Sequence, residues 1–425
     1  MPKNIFVMKH FLLIISTLLL FSACKETADS VFNGPYQRTV IVYMSGENDL
    51  DRYTTNDLDE MISGSTSVAE NEKFIVFVDK SDAQRPPYIL DMHNGIADTL
   101  KIFDSDFYAS DPKMFAGVID YVEKKFPSEE YGLVLWGHAT GWLVSKDTIA
   151  TTADAASRPF RAYGCDRGYN VDYGLGERWM NITQMARALE GMPKLKFIFA
   201  DCCSMMCAES AYELRNVTDF LIGSPAEIPG AGAPYHLIVK DLFNRSDDFY
   251  KKVVDDYYDY YLDYYRSSEF NMGVSDNYLN GYSVPLSVVD MRYIGELADA
   301  TRSILKHQDS ISIDSVVYYL SYDVPVLHEM GNIVERNFGV DEVEVWRQAL
   351  AKVVPYKRFS ARWMSIYSDV KKIMLNSDYR YTEDNYSGLS MFVPKPVYNY
   401  SRYFLYNEGL KQMGWYKAVG WDRFF

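Results

Sequence analysis

Residues 133–142 read LVLWGHATGW, a short apolar run that breaks at a glycine and delivers a histidine. The run 133–136 has the length and composition of a strand buried on both faces, the kind found in parallel sheets. Runs of the same character recur at 39–44, 74–78, 195–200 and 220–223. Between the runs at 74–78 and 133–136, Phe115, Val118, Ile119 and Val122 share a helical face, and before the run at 195–200 so do Ile182, Met185 and Leu189. Strands alternating with helices predict right-handed βαβ units and an α/β fold with a mostly parallel sheet. Beyond about residue 245 the spacing turns helical. Val254, Tyr258, Tyr261 and Tyr265 lie on one face, Ile294, Leu297, Ala298 and Thr301 on another, and a last strand is expected at 389–394. The tyrosine stripe reads as core and interface rather than as a cofactor site.

The carboxyl ends of neighbouring parallel strands lie on one edge of the sheet, where ligands bind. One strand ends in His138 and the next in Asp201-Cys202-Cys203, so an imidazole and a thiol are expected to meet despite their separation in sequence. An imidazole beside a thiol favours the thiolate, the form that attacks a carbonyl, and can later protonate a leaving amine. Each residue alone more often has a structural role; their coincidence at adjacent strand ends points to nucleophilic catalysis.

The whole chain has 425 residues, 48% hydrophobic and 24% charged, with five cysteines, which excludes disorder and a disulfide scaffold. A net charge of -15 with no long basic block argues against nucleic acid as a partner. Residues 1–23 carry Lys3 and Lys9 and then an apolar run at 11–21, too short to span a bilayer and suited to a signal peptide. Phe21-Ser22-Ala23-Cys24 resembles a bacterial lipobox, which implies lipidation of Cys24, membrane attachment outside the cytoplasm and a short linker at 24–36. Lys25-Glu26 resembles an outer-surface export signal of some lipoproteins. The remainder divides into a catalytic core at 37–245 and a helical region with a late strand at 246–425.

Residues 133–142 and 197–214 (FIFADCCSMMCAESAYEL) together resemble the His and Cys motifs of the clostripain family of cysteine endopeptidases, relatives of caspases, legumain and gingipains. Residues 39–50, 224–235 and 388–394 extend the similarity over roughly 37–425. The resemblance implies a caspase-like sheet flanked by helices and a Cys-His dyad that hydrolyses peptide bonds through an acyl-enzyme. His138 matches the family histidine. Counting back from Ala211-Tyr212-Glu213-Leu214 through Glu209 places the nucleophile at Cys203 and leaves Cys202 in a position the family fills with Ala. The implied oxyanion donors are the backbone N–H groups of Ala139 and Cys203, Ala139 standing where Gly is common.

Members cleave after Arg or Lys because carboxylates line the receiving pocket. Asp201 matches one of them, whereas the segment that carries the other reads Pro229-Gly230-Ala231-Gly232 here, so Ala231 replaces an acid. Basic specificity is therefore expected to be weakened or replaced by a small or polar preference, with Glu227 available to compensate. The long connection at 143–179, with Lys146, Arg158 and Arg161, is a candidate for self-processing. No cofactor is expected. Calcium dependence, a property of some members, has no legible signature, because Glu47, Asp49 and Asp51 read as a solvated turn. A zinc site from Cys165, Cys202, Cys203 and Cys207 has unusual spacing. Gly-x-Ser-x-Gly is absent, and His328-Glu329 has no second histidine four residues on. The remaining alternative is a degenerate relative kept as a protein-binding surface lipoprotein.

Overall fold

The computed structural model describes residues 34–82, 85–144, 162–169, 176–266, 283–321, 325–360, 363, 382–396 and 404–424. Cys24, the signal peptide and most of the 143–179 connection, including Lys146, Arg158 and Arg161, lie outside them. Among the described residues no helix is long and apolar enough to cross a membrane.

The first half of the chain supplies β1 (Tyr36–Gly46), α1 (Asp51–Gly64), β2 (Glu72–Lys80), β3 (Tyr88–His93), β4 (Ile96–Ile102), α2 (Pro112–Lys125) and β5 (Ser128–Trp136). After β5 come β6 (Tyr163–Asp166), β7 (Arg178–Met180), α3 (Ile182–Leu189), β8 (Leu195–Asp201), α4 (Ala208–Leu214), β9 (Thr218–Gly223) and α5 (Tyr235–Leu242). The C-terminal half holds α6 (Tyr250–Arg266), β10 (Leu286–Asp290), α7 (Ile294–Leu305), β11 (Tyr318–Ser321), β12 (Pro325–Glu329), α8 (Met330–Asn337), α9 (Val340–Val353), β13 (Tyr356–Arg358) and β14 (Ser390–Met391).

One nine-stranded sheet organises the fold, in the order β13-β10-β9-β8-β5-β1-β2-β3-β4. Its centre is parallel, with β1 beside both β2 and β5, β5 beside β8, and β8 beside β9. This is the mostly parallel α/β sheet expected from the apolar runs. Antiparallel strands close both edges. The β3–β4 hairpin turns through Asn94 and Gly95, both at positive φ, a strand signal that the apolar runs alone do not carry. At the other edge β10 and β13 come from the more helical half and are too short to register as apolar runs. The strand expected at 389–394 is the two-residue β14, which joins β12 and β11 in a separate small sheet.

Strand alternation feeds two cores. Ile41, Tyr43, Leu133, Leu135, Ile198 and Ala200 face α2, α3, α4 and α7. Val40, Val42, Met44, Val134, Phe197 and Phe199 face α5 and the tyrosine-rich α6. Each strand thus loses both faces to packing, which is why its sequence is continuously apolar. Arg38 is wholly buried beside the second core. It forks onto Glu130 Oε2 through Nε at 3.0 Å and Nη2 at 2.6 Å, and its Nη1 donates to the carbonyls of Leu242 and Asn244, tying the first strand to the end of α5.

The chain after β8 is held by the C-terminal segment. Ser390 N donates to Met206 O at 3.0 Å, and Phe392 N to the wholly buried Glu209 Oε1 at 2.8 Å. Burial pushes the Glu209 carboxyl up to about 8, so the fold prefers it protonated. Its stabilising contribution is complete below its ordinary value of 4.5 and is lost as pH rises through about 8. Replacing Glu209 by Gln keeps the acceptor and removes the charge. The melting temperature of the wild type is expected to fall relative to Glu209→Gln as pH rises from about 4.5 to about 8, and parallel curves across that range would refute the assignment.

Candidate active site

Trp136, the last residue of β5, pairs with Asp201, the last residue of β8. Two residues beyond each stand His138 and Cys203, so the register carries both to the same level of the sheet edge. β1 sends its connections to β2 on one side and lies beside β5 on the other, which makes this edge a topological switch point of the kind where α/β sheets bind ligands.

Gly137 makes the turn after β5 with φ +146, and a Cβ there would come to 3.0 Å from Ser45 O. Only glycine suits that combination of angle and closeness. His138 is then fixed through its backbone, its carbonyl accepting from Gly164 N at 2.9 Å while Thr140 N donates to Ala162 O at 2.9 Å. These two bonds leave the N–H of Ala139 unused among the described residues. Ala139 does not have a positive φ, so the methyl that replaces a common glycine brings no backbone strain. The partly exposed imidazole places Nε2 3.1 Å from Asp49 Oδ1, and Asp49 also accepts from Arg167 Nη2 at 3.1 Å. The His138 contact, aided by Arg167, holds the Asp49 carboxyl well below the usual carboxylate range.

On the β8 side the two adjacent thiols part company. Cys202 is buried in the core beneath α3 and α4, while Cys203 packs against the opposite core and remains partly open. Ile228 N approaches Cys203 Sγ at 3.5 Å. Burial, with the Glu227 carboxyl as the next contributor, pushes the Cys203 thiol up to about 12. Glu227 itself is raised to about 8 by burial. Ser204, directly after Cys203, has φ 60, a conformation rare outside glycine and usual where a turn is forced by its surroundings. Among the described residues no hydrogen bond joins Cys203 to His138. Cys207 is buried and faces Ser210 Oγ at 3.1 Å.

Asp201, two residues before Cys203, is nearly inaccessible, with three donors on its carboxylate: Tyr235 Oη at 2.6 Å, Ala233 N at 3.1 Å and Tyr257 Oη at 3.3 Å. Burial raises it to about 6 against those bonds. Asp57 accepts from Trp136 Nε1 at 2.6 Å and is raised to about 8, first by burial and then by Asp201. Both acids crowd Gly232, where a Cβ would stand 2.8 Å from Asp201 Oδ2 and 3.3 Å from Asp57 Oδ2. Ala231, on the same turn, is exposed. Tyr261 Oη donates to Gly232 O at 2.7 Å. The tyrosine helix α6 therefore builds the wall behind Cys203 as well as packing the core.

Three of these groups escaped the sequence reading. The spacing of Glu47, Asp49 and Asp51 predicts a solvated turn, whereas Asp49 meets His138 and Glu47 is wholly buried. Asp57 and Arg167 sit in no recognisable motif. Among the described residues one group of three ligand-type side chains lies within metal-binding reach, Glu47, Asp79 and Asp166, and it contains no cysteine.

The sequence model of the clostripain family, Peptidase_C11, matches residues 42–425. The structure is similar to that of a secreted C11 cysteine protease from Bacteroides thetaiotaomicron solved with an irreversible peptide inhibitor. The two share 27% identity, 91% of this chain and 99% of that one are covered, and the TM-score is 0.72. It is also similar to an inactive zymogen C11 protease from Parabacteroides distasonis, at 24% identity, 92% and 99% coverage and a TM-score of 0.71, a likeness of fold. No curated protein matches the chain.

Proposed function

The chain belongs to the clostripain family of cysteine peptidases, and on that premise we propose that Cys203 and His138 are its catalytic dyad, hydrolysing peptide bonds through an acyl-enzyme. The observation that supports this most is the pairing of Trp136 with Asp201, which carries both residues past the same sheet edge. With Nε2–H directed to Asp49, the imidazole presents Nδ1 as its basic nitrogen, so Asp49 acts as the group that sets the tautomer. Cys203 Sγ attacks the peptide carbonyl, His138 takes the thiol proton and returns it to the leaving amine, and water, activated by the same imidazole, then cleaves the thioester. The N–H groups of Ala139 and Cys203 are the donors for the oxyanion. A binding module without catalysis is not favoured by the family or by its inhibitor-bound relative.

For specificity, the acid proposed to meet a substrate's cationic side chain is Glu227, whose negative charge raises the Cys203 thiol. Asp201 shapes the pocket wall through Tyr235, Tyr257 and the turn that carries Ala231. Partnering with Arg or Lys would favour the charged form of a carboxyl that burial otherwise keeps neutral near pH 7. Location follows from Cys24: a lipid anchor holding an extracytoplasmic domain whose net charge becomes -17 once Lys3 and Lys9 are removed.

A peptidyl ketone that alkylates thiols should modify Cys203 in the wild type and in Cys202→Ala, and the rate should fall ~100-fold or more in His138→Ala, the usual size of an acid-base contribution. Unchanged labelling without His138 would remove the dyad. On a peptide library, Glu227→Gln should lose ~10-fold or more in kcat/KM for Arg and Lys before the scissile bond and little for small residues, because a partly buried charge pair is lost. An even loss across the library would remove Glu227 from the pocket. Cys24→Ala should move the protein from the membrane fraction to the soluble one, and retention in membranes would refute the anchor.

A further inference from the structure

Side chains of the β6–β7 hairpin close a ring around His138, and the peptidase chemistry uses none of them directly. Ala139 bridges Tyr163 of β6 in antiparallel fashion, which seats the hairpin beside the histidine turn. Within the hairpin Asp166 pairs with Arg178, so the next residues outward, Arg167 and Glu177, stand across from each other. Trp179 follows Glu177 by two positions, and the alternation of an extended chain turns both to the same face.

The contacts return to their starting point. His138 Nε2 lies 3.1 Å from Asp49 Oδ1, and Arg167 Nη2 donates to that same oxygen at 3.1 Å. Arg167 Nε lies 3.8 Å from Glu177 Oε2, and Trp179 Nε1 donates to Glu177 Oε1 at 2.8 Å. The nearly buried Trp179 ring then meets the imidazole, with centroids 6.2 Å apart and planes tilted by 40°. Arg167 Nη1 donates to Tyr169 Oη at 3.1 Å, so each guanidinium nitrogen has a partner, and Arg167 N donates to Glu47 O at 3.0 Å.

Folding stability does not account for this ring. The Asp49 side chain is 52% exposed and that of Arg167 35%, and ion pairs so open contribute little. Orientation does account for it. A carboxylate half in water has rotamers that point away from the imidazole, and Arg167 closes on the very oxygen that faces His138. Glu177 and Tyr169 fix the guanidinium in turn, a task that needs the planar fork of Arg rather than a charge alone. We infer that Arg167, Glu177 and Trp179 are positioning residues: they hold Asp49 against Nε2 and so leave Nδ1 as the basic nitrogen. The inference rests on His138 being the base of the dyad.

Steady-state kinetics of the full chain and nitrogen NMR spectra of His138 in Cys203→Ala test it. Arg167→Lys keeps the charge and loses the fork, while Glu177→Gln keeps an acceptor for Trp179 and loses the ion pair. Each should lower kcat ~10-fold with KM within about a factor of two, because a misaimed base slows the chemical step and not binding. In an Asp49→Asn background the same changes should cost less than about twofold, since residues that act through a shared partner are not additive. Trp179→Phe, which keeps a packing face and loses the Nε1 donor, should show the same split at a smaller size, and an unchanged kcat would remove Trp179 from the set. In the spectra, Cys203→Ala should show a neutral imidazole protonated on Nε2, and adding Arg167→Lys should bring in the other tautomer. Equal costs with and without Asp49, a loss confined to KM, or an unchanged tautomer ratio in Arg167→Lys would overturn the inference. The spectra read the ring without turnover, so its failure is distinct from failure of the dyad, which shows as thiol labelling independent of His138.

Discussion

The parallel pairing of β5 with β8 rests on a steric lock at its start. Gly132 lies opposite Phe197, and a Cβ at position 132 would come to 2.2 Å from the Phe197 ring. The ring lies across the glycine. A slip of one residue would put Leu133 under it and would also exchange the faces of every side chain that follows. Both cores then oppose such a slip, since Leu133 and Leu135 belong to one and Val134 and Trp136 to the other. The residues two positions past the strand ends inherit this precision, although they sit on loops.

The same edge shows how the more helical half becomes part of the site. A carboxylate as buried as Asp201 is costly unless its oxygens are hydrogen-bonded. Two of its three donors are tyrosines, Tyr235 on α5 and Tyr257 on α6, and Tyr261 on α6 holds the neighbouring turn. A tyrosine ring fills core volume while its hydroxyl reaches a polar group at the end of a long lever. That dual use gives a physical reason for tyrosine, rather than leucine, along the inner stripe of α6.

Legibility in the sequence followed the physics of each element. The five parallel strands were visible because burial on both faces leaves an unbroken apolar signature. The edge strands were not: β4 is largely exposed, and β10 and β13 are short and derive their order from neighbours distant in sequence. His138 and the Cys202-Cys203 pair stand just past the ends of apolar runs, and the choice of Cys203 over Cys202 rests on the resemblance to the family motif. Asp57 could not be placed in this way, since it sits within α1 and acquires its role only by meeting Trp136 and Asp201 across the fold. Glu47 was misread for a related reason. Three acids in five residues look like a solvated turn, and only the sheet register buries one of them beside Asp79.

The charges around Cys203 constrain how it can react. Burial and the acids Glu227 and Asp201 favour the neutral thiol, and they outweigh the backbone N–H groups of Ile228 and Cys203, which favour the thiolate. In the dyad proposed above, proton removal would therefore belong to the attack itself, with His138 as base while the carbon-sulfur bond forms and the negative charge passes to the oxyanion donors. Glu227 enters this balance twice. Ionised and alone it would oppose a developing negative charge at sulfur, whereas paired with a substrate's guanidinium or ammonium group it would be neutralised. A cationic side chain seated there would remove an obstacle to the chemistry as it supplies binding energy. An acid beside the sulfur would thereby couple recognition to reactivity more directly than one at the position of Ala231, on the exposed turn.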